Sequence, residues 1–168
     1  MASGRLFEIT DDYAGKKVRV CGSYRSRRVM GAGSHKRCEL YMHADSFVIA
    51  SAGAEDADQI TLSGYICTRP CFRITPLGRE ITDFILAVNR RFGHTDYIPC
   101  VAWGRTAHYL ADAELGTYLH VTGRVQSREY EKKTDYATTI RTAYEVSIRF
   151  AADGGSEPEF YLCNRMAA

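Results

Sequence analysis

Apolar and polar residues alternate with a period of two along most of the central chain, a pattern typical of β-strands with one buried face. In the first such segment, Ile60, Leu62 and Ile66 fall on one side of a strand. Residues 80–89 are apolar on nearly both sides, which predicts a strand in the middle of the sheet. Residues 97–103, 119–130 and 144–150 alternate in the same way and predict three further strands.

A helix and several turns separate these strands. Residues 106–114 have the spacing of a short amphipathic helix with Ala107, Leu110 and Ala111 facing inward, and Gly116 follows as its terminator. Residues 75–78 have the composition of a turn, and residues 131–141 are polar and are interpreted as a loop. Three strands, a helix and two strands is the element order of a five-stranded Greek-key barrel, so we predict an all-β fold with one short helix.

The same alternation assigns side chains to faces. One side of the strand at 97–103 is expected to carry Tyr97, Pro99, Val101 and Trp103. In the strand at 119–130 the core side is expected to hold Leu119, Val121, Gly123 and Val125, and the opposite side Arg124, Gln126, Arg128 and Tyr130. In the last strand Tyr144, Val146, Ile148 and Phe150 share one side. Several strands therefore carry aromatic rings and arginines together.

Aromatic side chains beside arginines favour nucleic-acid binding, because aromatic faces stack on bases while guanidinium groups contact phosphates. Each of these residues also has a purely structural interpretation. Trp103, the only tryptophan, also suits a core position, and Phe92 suits a structural staple at a turn. Any single arginine suits a solvated surface position. Enzymatic function is not expected, since we find no Ser-His-Asp order, no phosphate-binding glycine loop and no clustered carboxylate pair.

Composition narrows the class of protein only slightly. The net charge is +2, and residues 59–150 hold 12 basic against 9 acidic residues, an excess too mild to indicate nucleic acid by itself. Six cysteines occur without a Cys-x2-Cys pair, so we expect reduced thiols in a cytoplasmic protein, no metal site and no cofactor. No apolar run approaches the roughly 20 residues of a membrane span, and no membrane association is expected.

The N-terminal third predicts a β-hairpin. Residues 17–26 and 38–48 alternate as two strands around a loop at 30–34, after a polar arm at 1–14 and before a linker at 51–58. Residues 15–27 match residues 116–128 at an offset of 101, with five identities in thirteen positions. A partial duplication and two generic strands with a glycine both remain open. We divide the chain into a hairpin region with linker at 1–58, a barrel domain at 59–150 and a tail at 151–168.

The central segments resemble the OB domain of bacterial single-stranded DNA-binding proteins, particularly forms from Gram-positive anaerobes. The resemblance covers residues 59–150 and rests on Gly64-Tyr65-Ile66-Cys67, Thr75-Pro76-Leu77-Gly78-Arg79, Asp83-Phe84-Ile85-Leu86-Ala87-Val88-Asn89-Arg90, Asp96-Tyr97-Ile98-Pro99-Cys100-Val101-Ala102-Trp103-Gly104-Arg105 and Gly123-Arg124-Val125-Gln126-Ser127-Arg128-Glu129-Tyr130. It implies an OB barrel that binds single-stranded DNA without sequence preference, in replication, recombination or repair, in the cytoplasm with the nucleoid.

The resemblance also implies site residues and partners. The base-stacking positions correspond to Phe92, Tyr97, Trp103 and Tyr130. The candidate phosphate contacts are Arg73, Arg79, Arg90, Arg91, Arg105, Arg124, Arg128, Lys132 and Lys133. Such proteins assemble as homo-oligomers, so a dimer or tetramer is expected, with single-stranded DNA as the partner.

Two departures from the family pattern matter. Residues 157–168 lack the short acidic, phenylalanine-ended tip through which such proteins recruit others, so recruitment by that route is doubtful. An accessory OB protein of primosome or recombination type, acting as an adaptor, is therefore the alternative function. The N-terminal hairpin is the second departure, because it resembles the last two strands of another OB unit.

Overall fold

Eight strands and one α-helix form the regular structure of the part of the chain that this computed structural model describes, namely Tyr13 and residues 15–30, 36–134 and 137–155. In chain order they are β1 (Val18–Met30), β2 (Lys36–Ile49), β3 (Ile60–Ile66), β4 (Cys71–Ile74), β5 (Glu80–Asn89), β6 (Thr95–Trp103), α1 (Gly104–Ala111), β7 (Tyr118–Thr134) and β8 (Ala137–Asp153). A 3-10 turn, Arg91–Gly93, joins β5 to β6. The chain divides into two units, Met1–Ala57 and Asp58–Ala168.

Five strands of the second unit pair into a closed ring. Strand β3 pairs with β7 and with β5, β5 pairs with β6, β6 runs parallel to β8, and β8 pairs with β7. This ring, with a single parallel contact and a helix before its fourth strand, is an OB-like fold. The predicted all-β fold with one short helix is confirmed.

The interior of the ring is filled by the alternate residues that the period of two selects. The buried apolar side chains include Leu62, Ile66, Phe84, Leu86, Ile98, Cys100, Leu119, Val121, Val146 and Ile148. They come from β3, β5, β6, β7 and β8, so every strand of the ring contributes to one core. Each fully buried aliphatic side chain contributes about 1.5–3 kcal/mol relative to an exposed one.

Helix α1 packs against the interior of the ring. Ala107 and Leu110 are fully buried, as predicted, and Thr82 Oγ1 of β5 donates a 2.8 Å hydrogen bond to the carbonyl oxygen of Ala107. The helix begins at Gly104 rather than 106 and ends at Ala111 rather than 114. This shift leaves Ala111 only half-buried.

Two parts of the second unit differ from the sequence-based expectation. Residues 71–74 form β4, which pairs with the first half of β5, although no strand was predicted there. The loop predicted at residues 131–141 was wrong, because β7 continues to Thr134 and β8 begins at Ala137. Residues 127–134 and 137–144 pair with each other and, among the described strands, with nothing else. We call this extension the β7–β8 arm; its polar residues suit a two-stranded ribbon exposed on both faces.

The end of β8 departs from simple alternation. Thr122 pairs with Phe150 but Gly123 pairs with Ile148, so Arg149 is an extra residue in a β-bulge. The bulge reverses the parity of β8, and Phe150 is therefore 60% exposed instead of sharing the core side with Ile148. Tyr144, at the other end of the predicted series, is exposed because it belongs to the arm.

The first unit contains the predicted hairpin, with strands longer than expected. Its thirteen residue pairs run from Val18↔Ile49 to Met30↔Lys36. Leu119↔Asp153 in the second unit lies 101 residues after Val18 and 104 after Ile49, and the same two offsets carry every pair of β1–β2 onto a pair of β7–β8. The predicted loop at 30–34 lies outside the described residues, apart from Met30.

The two hairpins share their irregularities as well as their register. Gly22 and Gly123 stand at equivalent bulges, and a Cβ on either would lie 2.1 Å from a carbonyl oxygen of the neighbouring strand, that of His43 or of Ser147. Generic strands have no reason to share a bulge and a glycine at the same place. The structure therefore favours partial duplication over two unrelated strands.

Candidate nucleic-acid surface

Strand pairing brings the outward sides of β5, β6, β8 and β7 together. Val101 of β6 pairs with Asp83 of β5 and with Ser147 of β8, and Ser147 pairs with Arg124 of β7. Paired residues lie on the same face about 5 Å apart, so these four strands form one continuous face on the side opposite the barrel core, which we call the outer surface. Val101 and Ser147 in its middle are buried, whereas Tyr97, Arg124 and Tyr130 on it are exposed. The predicted site residues on this face of β6 and β7 are Tyr97, Trp103, Arg124, Arg128 and Tyr130.

Trp103 lies at the end of β6, at the edge of the core. Its side chain is half-buried, and its Nε1–H donates a 3.0 Å hydrogen bond to Ser147 Oγ on β8. The hydrogen bond satisfies the one polar atom of the indole and fixes the ring without burying it fully. Trp103 is therefore neither a core residue nor a loosely held surface residue.

Tyr97 occupies the other end of β6. It is 43% exposed, while its neighbours Asp96 and Ile98 are buried on the opposite side of the strand. Its partner across the sheet is Ala87 of β5, whose small side chain covers little of the ring. Tyr97 thus presents aromatic surface about 20 Å from Trp103, the length of six residues of strand.

Phe92 lies in the turn between β5 and β6 and is 95% exposed. Its backbone has φ 66° and ψ 29°, the left-handed region that costs a residue with a Cβ about 1–2 kcal/mol. An exposed ring gains nothing from folding that would offset this cost. A strained, fully exposed phenylalanine in the turn between β5 and β6 is a candidate for contact with a ligand.

Tyr130 lies on the β7–β8 arm and is 39% exposed. The guanidinium carbon of Arg128 lies 5.8 Å from the centre of the Tyr130 ring, within the range of a cation–π contact. Arg128 Nε also donates to Glu145 Oε2 at 3.2 Å. The other carboxylate oxygen of Glu145 accepts a 2.9 Å hydrogen bond from Gln126 Nε2. This network positions Arg128 and Tyr130 together on the outer face of the arm.

The candidate phosphate contacts fall into three groups. Ion pairs hold Arg73 to Asp83 at 2.6 Å, Arg90 to Asp96 at 2.7 Å and Arg128 to Glu145 at 3.2 Å. Arg90 Nε lies 2.7 Å from Asp96 Oδ2, but the Nε–H itself makes no hydrogen bond among the described residues. The exposed arginines without an ion pair among the described residues are Arg79, Arg105 and Arg124.

The remaining basic candidates add less. Arg91 is exposed in the turn beside Phe92 and already interacts with another group of the protein. The side chains of Lys132 and Lys133 lie outside the described residues, although their backbone belongs to β7. An unpaired arginine keeps all its N–H donors for a phosphate, whereas an ion-paired one must share them. Arg79, Arg105 and Arg124 are therefore the strongest phosphate candidates.

Sequence reasoning missed two residues that support this surface, Ser147 and Glu145. Ser147 anchors the Trp103 indole, and Glu145 holds both Gln126 and Arg128. A signal existed, because Ser147 and Glu145 alternate with Val146 and Ile148 and so must share the outward side of β8. Polar residues at outward positions beside a central strand are candidates for such support.

The described residues contain no group of three or more metal-ligating side chains and no helix with the length and hydropathy of a membrane span. Among the described residues, Cys21, Cys38, Cys67, Cys71 and Cys100 form no disulfide. Burial raises the pKa of the Cys67 thiol and, much more strongly, that of Cys100 in the core. The buried thiol of Cys100 and the exposed but partly desolvated thiol of Cys67 are thus kept neutral and poorly nucleophilic.

Comparison with known proteins supports these observations. The model of the Single-strand binding protein family matches residues 57–151. A single-stranded DNA-binding protein from Clostridium tetani is 30% identical over 110 residues, which cover 60% of this chain and 74% of that protein. A single-stranded DNA-binding protein from Enterococcus faecalis is 37% identical over 83 residues, which cover 45% of this chain and 44% of that one.

A solved structure shows the same fold. The wild-type single-stranded DNA binding protein from Thermus aquaticus matches with a TM-score of 0.66 at 23% identity, over 86% of this chain and 62% of that chain. This chain therefore spans less than two thirds of the Thermus protein. Since Asp58–Ala168 makes up 111 of 168 residues, a match over 86% also includes part of the first unit.

Proposed function

The chain belongs to the single-strand binding protein family, and we propose that it binds single-stranded DNA without sequence preference and without catalysis. The observation that carries this proposal is the combination of exposed or half-exposed Tyr97, Trp103 and Tyr130 with Arg124 on one outer surface. Every base has a π-face, so stacking on aromatic rings tolerates any sequence.

The expected energetics favour unpaired strands. Each base stacked on an aromatic ring contributes about 1–3 kcal/mol. In a duplex the bases are already stacked and paired, so their faces are not available to the rings. Phosphate contacts by Arg79, Arg105 and Arg124 add attraction that weakens as salt rises. Each contact steepens the plot of log K against log salt by about 0.7. The proposed role is protection of single-stranded DNA during replication, recombination or repair in the cytoplasm.

Fluorescence anisotropy with labelled oligo-dT and with duplex of equal length, at two salt concentrations, tests this function. We expect tight binding to the single strand that weakens as salt rises, and much weaker binding to duplex. Equal affinity for the two would contradict the proposal. An adaptor protein with an unused OB surface would bind both weakly.

We further propose that the chain forms homo-oligomers through the inner face of the β1–β2 hairpin. The residues on β1–β2 that correspond to the core-facing positions of β7–β8 include Val18, Val20, Met42, Phe47 and Ile49. Val18, Met42 and Ile49 are 37%, 46% and 57% exposed. Two strands alone are marginal in water, so a second copy of the hairpin offers a self-complementary apolar surface.

Light scattering on a Val18→Asp/Ile49→Asp variant tests the assembly, since these two residues are partners across the hairpin. We expect the variant to have the mass of a monomer. Ile140→Asp, at an equally exposed position on the β7–β8 arm, is the control and should leave the mass unchanged. An unchanged mass in the double variant would contradict this interface.

A further inference from the structure

The outer face of the β1–β2 hairpin has the same strand register as the outer face of β7–β8. Because the two hairpins share their register, Arg25 corresponds to Gln126 and Arg27 to Arg128. On the second strand, Tyr41 corresponds to Glu145 and His43 to Ser147. The face of β7–β8 that we propose to contact DNA therefore has a counterpart in the first unit, on the side opposite Val18 and Val20.

One arginine is held in the same way on both hairpins. Arg27 Nε lies 2.7 Å from Glu39 Oε2 on the neighbouring strand, and the Arg27 guanidinium carbon lies 5.4 Å from the centre of the Tyr41 ring. Arg128 likewise pairs with a carboxylate on the neighbouring strand and lies over a tyrosine ring. The arginine, the acid and the aromatic ring recur together, although the acid and the ring occupy different register positions.

The charge of this face suits a polyanion. Its outward positions carry Arg19, Arg25, Arg27 and Arg37 against the single carboxylate of Glu39, an excess of three positive charges. Asp45, the bulge residue, lies 3.8 Å from His43 at the end of the face. Arg25 Nε is shielded from solvent and has no hydrogen-bond partner among the described residues. A buried N–H donor without an acceptor is costly, and a phosphate oxygen satisfies it only if the Arg25 side chain turns toward solvent.

We propose that the outer face of β1–β2, centred on Arg25, Arg27 and Tyr41, is a second contact surface for single-stranded nucleic acid. This inference rests on the proposed function of the barrel and extends it to longer strands. Arg25 and Arg27 contact phosphates, and Tyr41 stacks on a base. An acidic protein segment is the other class of ligand that this charge would suit, but a tyrosine ring between arginines is better matched to a base between phosphates.

The test compares strands of two lengths on the full chain. A strand of about 8 nucleotides fits within the span of one OB barrel, and a strand of about 40 exceeds it. The variants are Arg25→Ala and Arg28→Ala, which each remove one positive charge from β1 but on opposite faces. Arg28 is exposed, so its loss is a matched electrostatic control.

We expect both variants to bind the short strand as the wild type does. On the long strand, Arg25→Ala should weaken binding and lower the salt slope by about 0.7, while Arg28→Ala leaves both unchanged. Arg25→Lys should restore the slope, and thermal denaturation should show the same melting temperature for all three variants. A 5-iodouridine-substituted long strand should form a photo-crosslink to Tyr41.

The outcomes separate the two proposals. Failure of the wild type to bind the short strand would contradict the proposed function of the barrel. Normal short-strand binding, with Arg25→Ala equal to Arg28→Ala on the long strand and no crosslink to the hairpin, would overturn the second surface. That pattern would leave an acidic protein segment as the ligand of this face.

Discussion

Replacing Trp103 by alanine removes two contributions at once, the hydrogen bond that anchors the end of β6 and the aromatic ring that we propose to stack on a base. Loss of the stacking ring should weaken single-strand binding by about 1–3 kcal/mol, or about 5- to 150-fold. Loss of the Nε1–H hydrogen bond to Ser147 should cost about 0.5–1.5 kcal/mol of unfolding free energy. The half-buried ring adds a part of the 3–5 kcal/mol that deletion of a core aromatic costs.

Two companion variants divide these effects. Trp103→Phe keeps an aromatic ring but loses the N–H, so it should retain most of the binding while losing the stability of the hydrogen bond. Ser147→Ala removes the acceptor on β8 and leaves the indole in place, so its effect on stability should match that of Trp103→Phe. Binding should change less in either variant than in Trp103→Ala.

The assay combines anisotropy titration with labelled oligo-dT and urea denaturation of each free variant. Binding affinity is compared at one fixed salt concentration, since the phosphate contribution varies with salt. If Trp103→Ala lost 3–5 kcal/mol of stability and bound single strands normally after correction for the unfolded fraction, the residue would belong to the core. The assignment of Trp103 to the outer surface would then be refuted.

Three further variants test separate parts of the structure. Tyr130→Ala should weaken single-strand binding by about 1–3 kcal/mol without lowering the melting temperature, whereas Tyr144→Ala, at a more exposed tyrosine on the other face of the arm, should change neither. Phe92→Asn should weaken binding by a similar amount while leaving the urea midpoint unchanged or raised, because asparagine tolerates a φ of 66°; a lower midpoint would mean that the ring packs. Burial raises the pKa of Cys100, so the folded protein keeps a proton that the unfolded chain loses above a pH of about 9. The contribution of the protonated Cys100 thiol to the free energy of unfolding is therefore fully present below that pH and should fall by about 1.4 kcal/mol per pH unit above it. Denaturation of Cys100→Ala should lack this fall.

The barrel could be predicted from the sequence where one face of each strand is buried. The alternation of Leu119, Val121 and Gly123 with polar neighbours identified the core side of β7, and the apolar run of β5 identified a central strand. These patterns depend only on the period of two and on burial, which are local properties. The same rule placed Tyr97 and Trp103 on one side of β6.

The features that sequence reasoning missed depend on partners rather than on local pattern. The bulge at Arg149 reverses the side of Phe150, and only the register with Thr122 and Gly123 reveals it. The β7–β8 arm has no buried face, so polar residues there resembled a loop. Pairing also decides which arginines are engaged, since Arg73 and Arg90 meet carboxylates that are ten and six residues away in the chain.

The fluorescence of Trp103 during titration with DNA tests the central claim most directly, because Trp103 is the only tryptophan and lies on the proposed surface. Stacking of bases on Trp103 predicts that saturation with oligo-dT quenches this fluorescence, that added salt reverses the quenching, and that duplex DNA at the same nucleotide concentration leaves it unchanged. Saturating single-strand binding without any change in Trp103 fluorescence, or equal quenching by duplex, would contradict it.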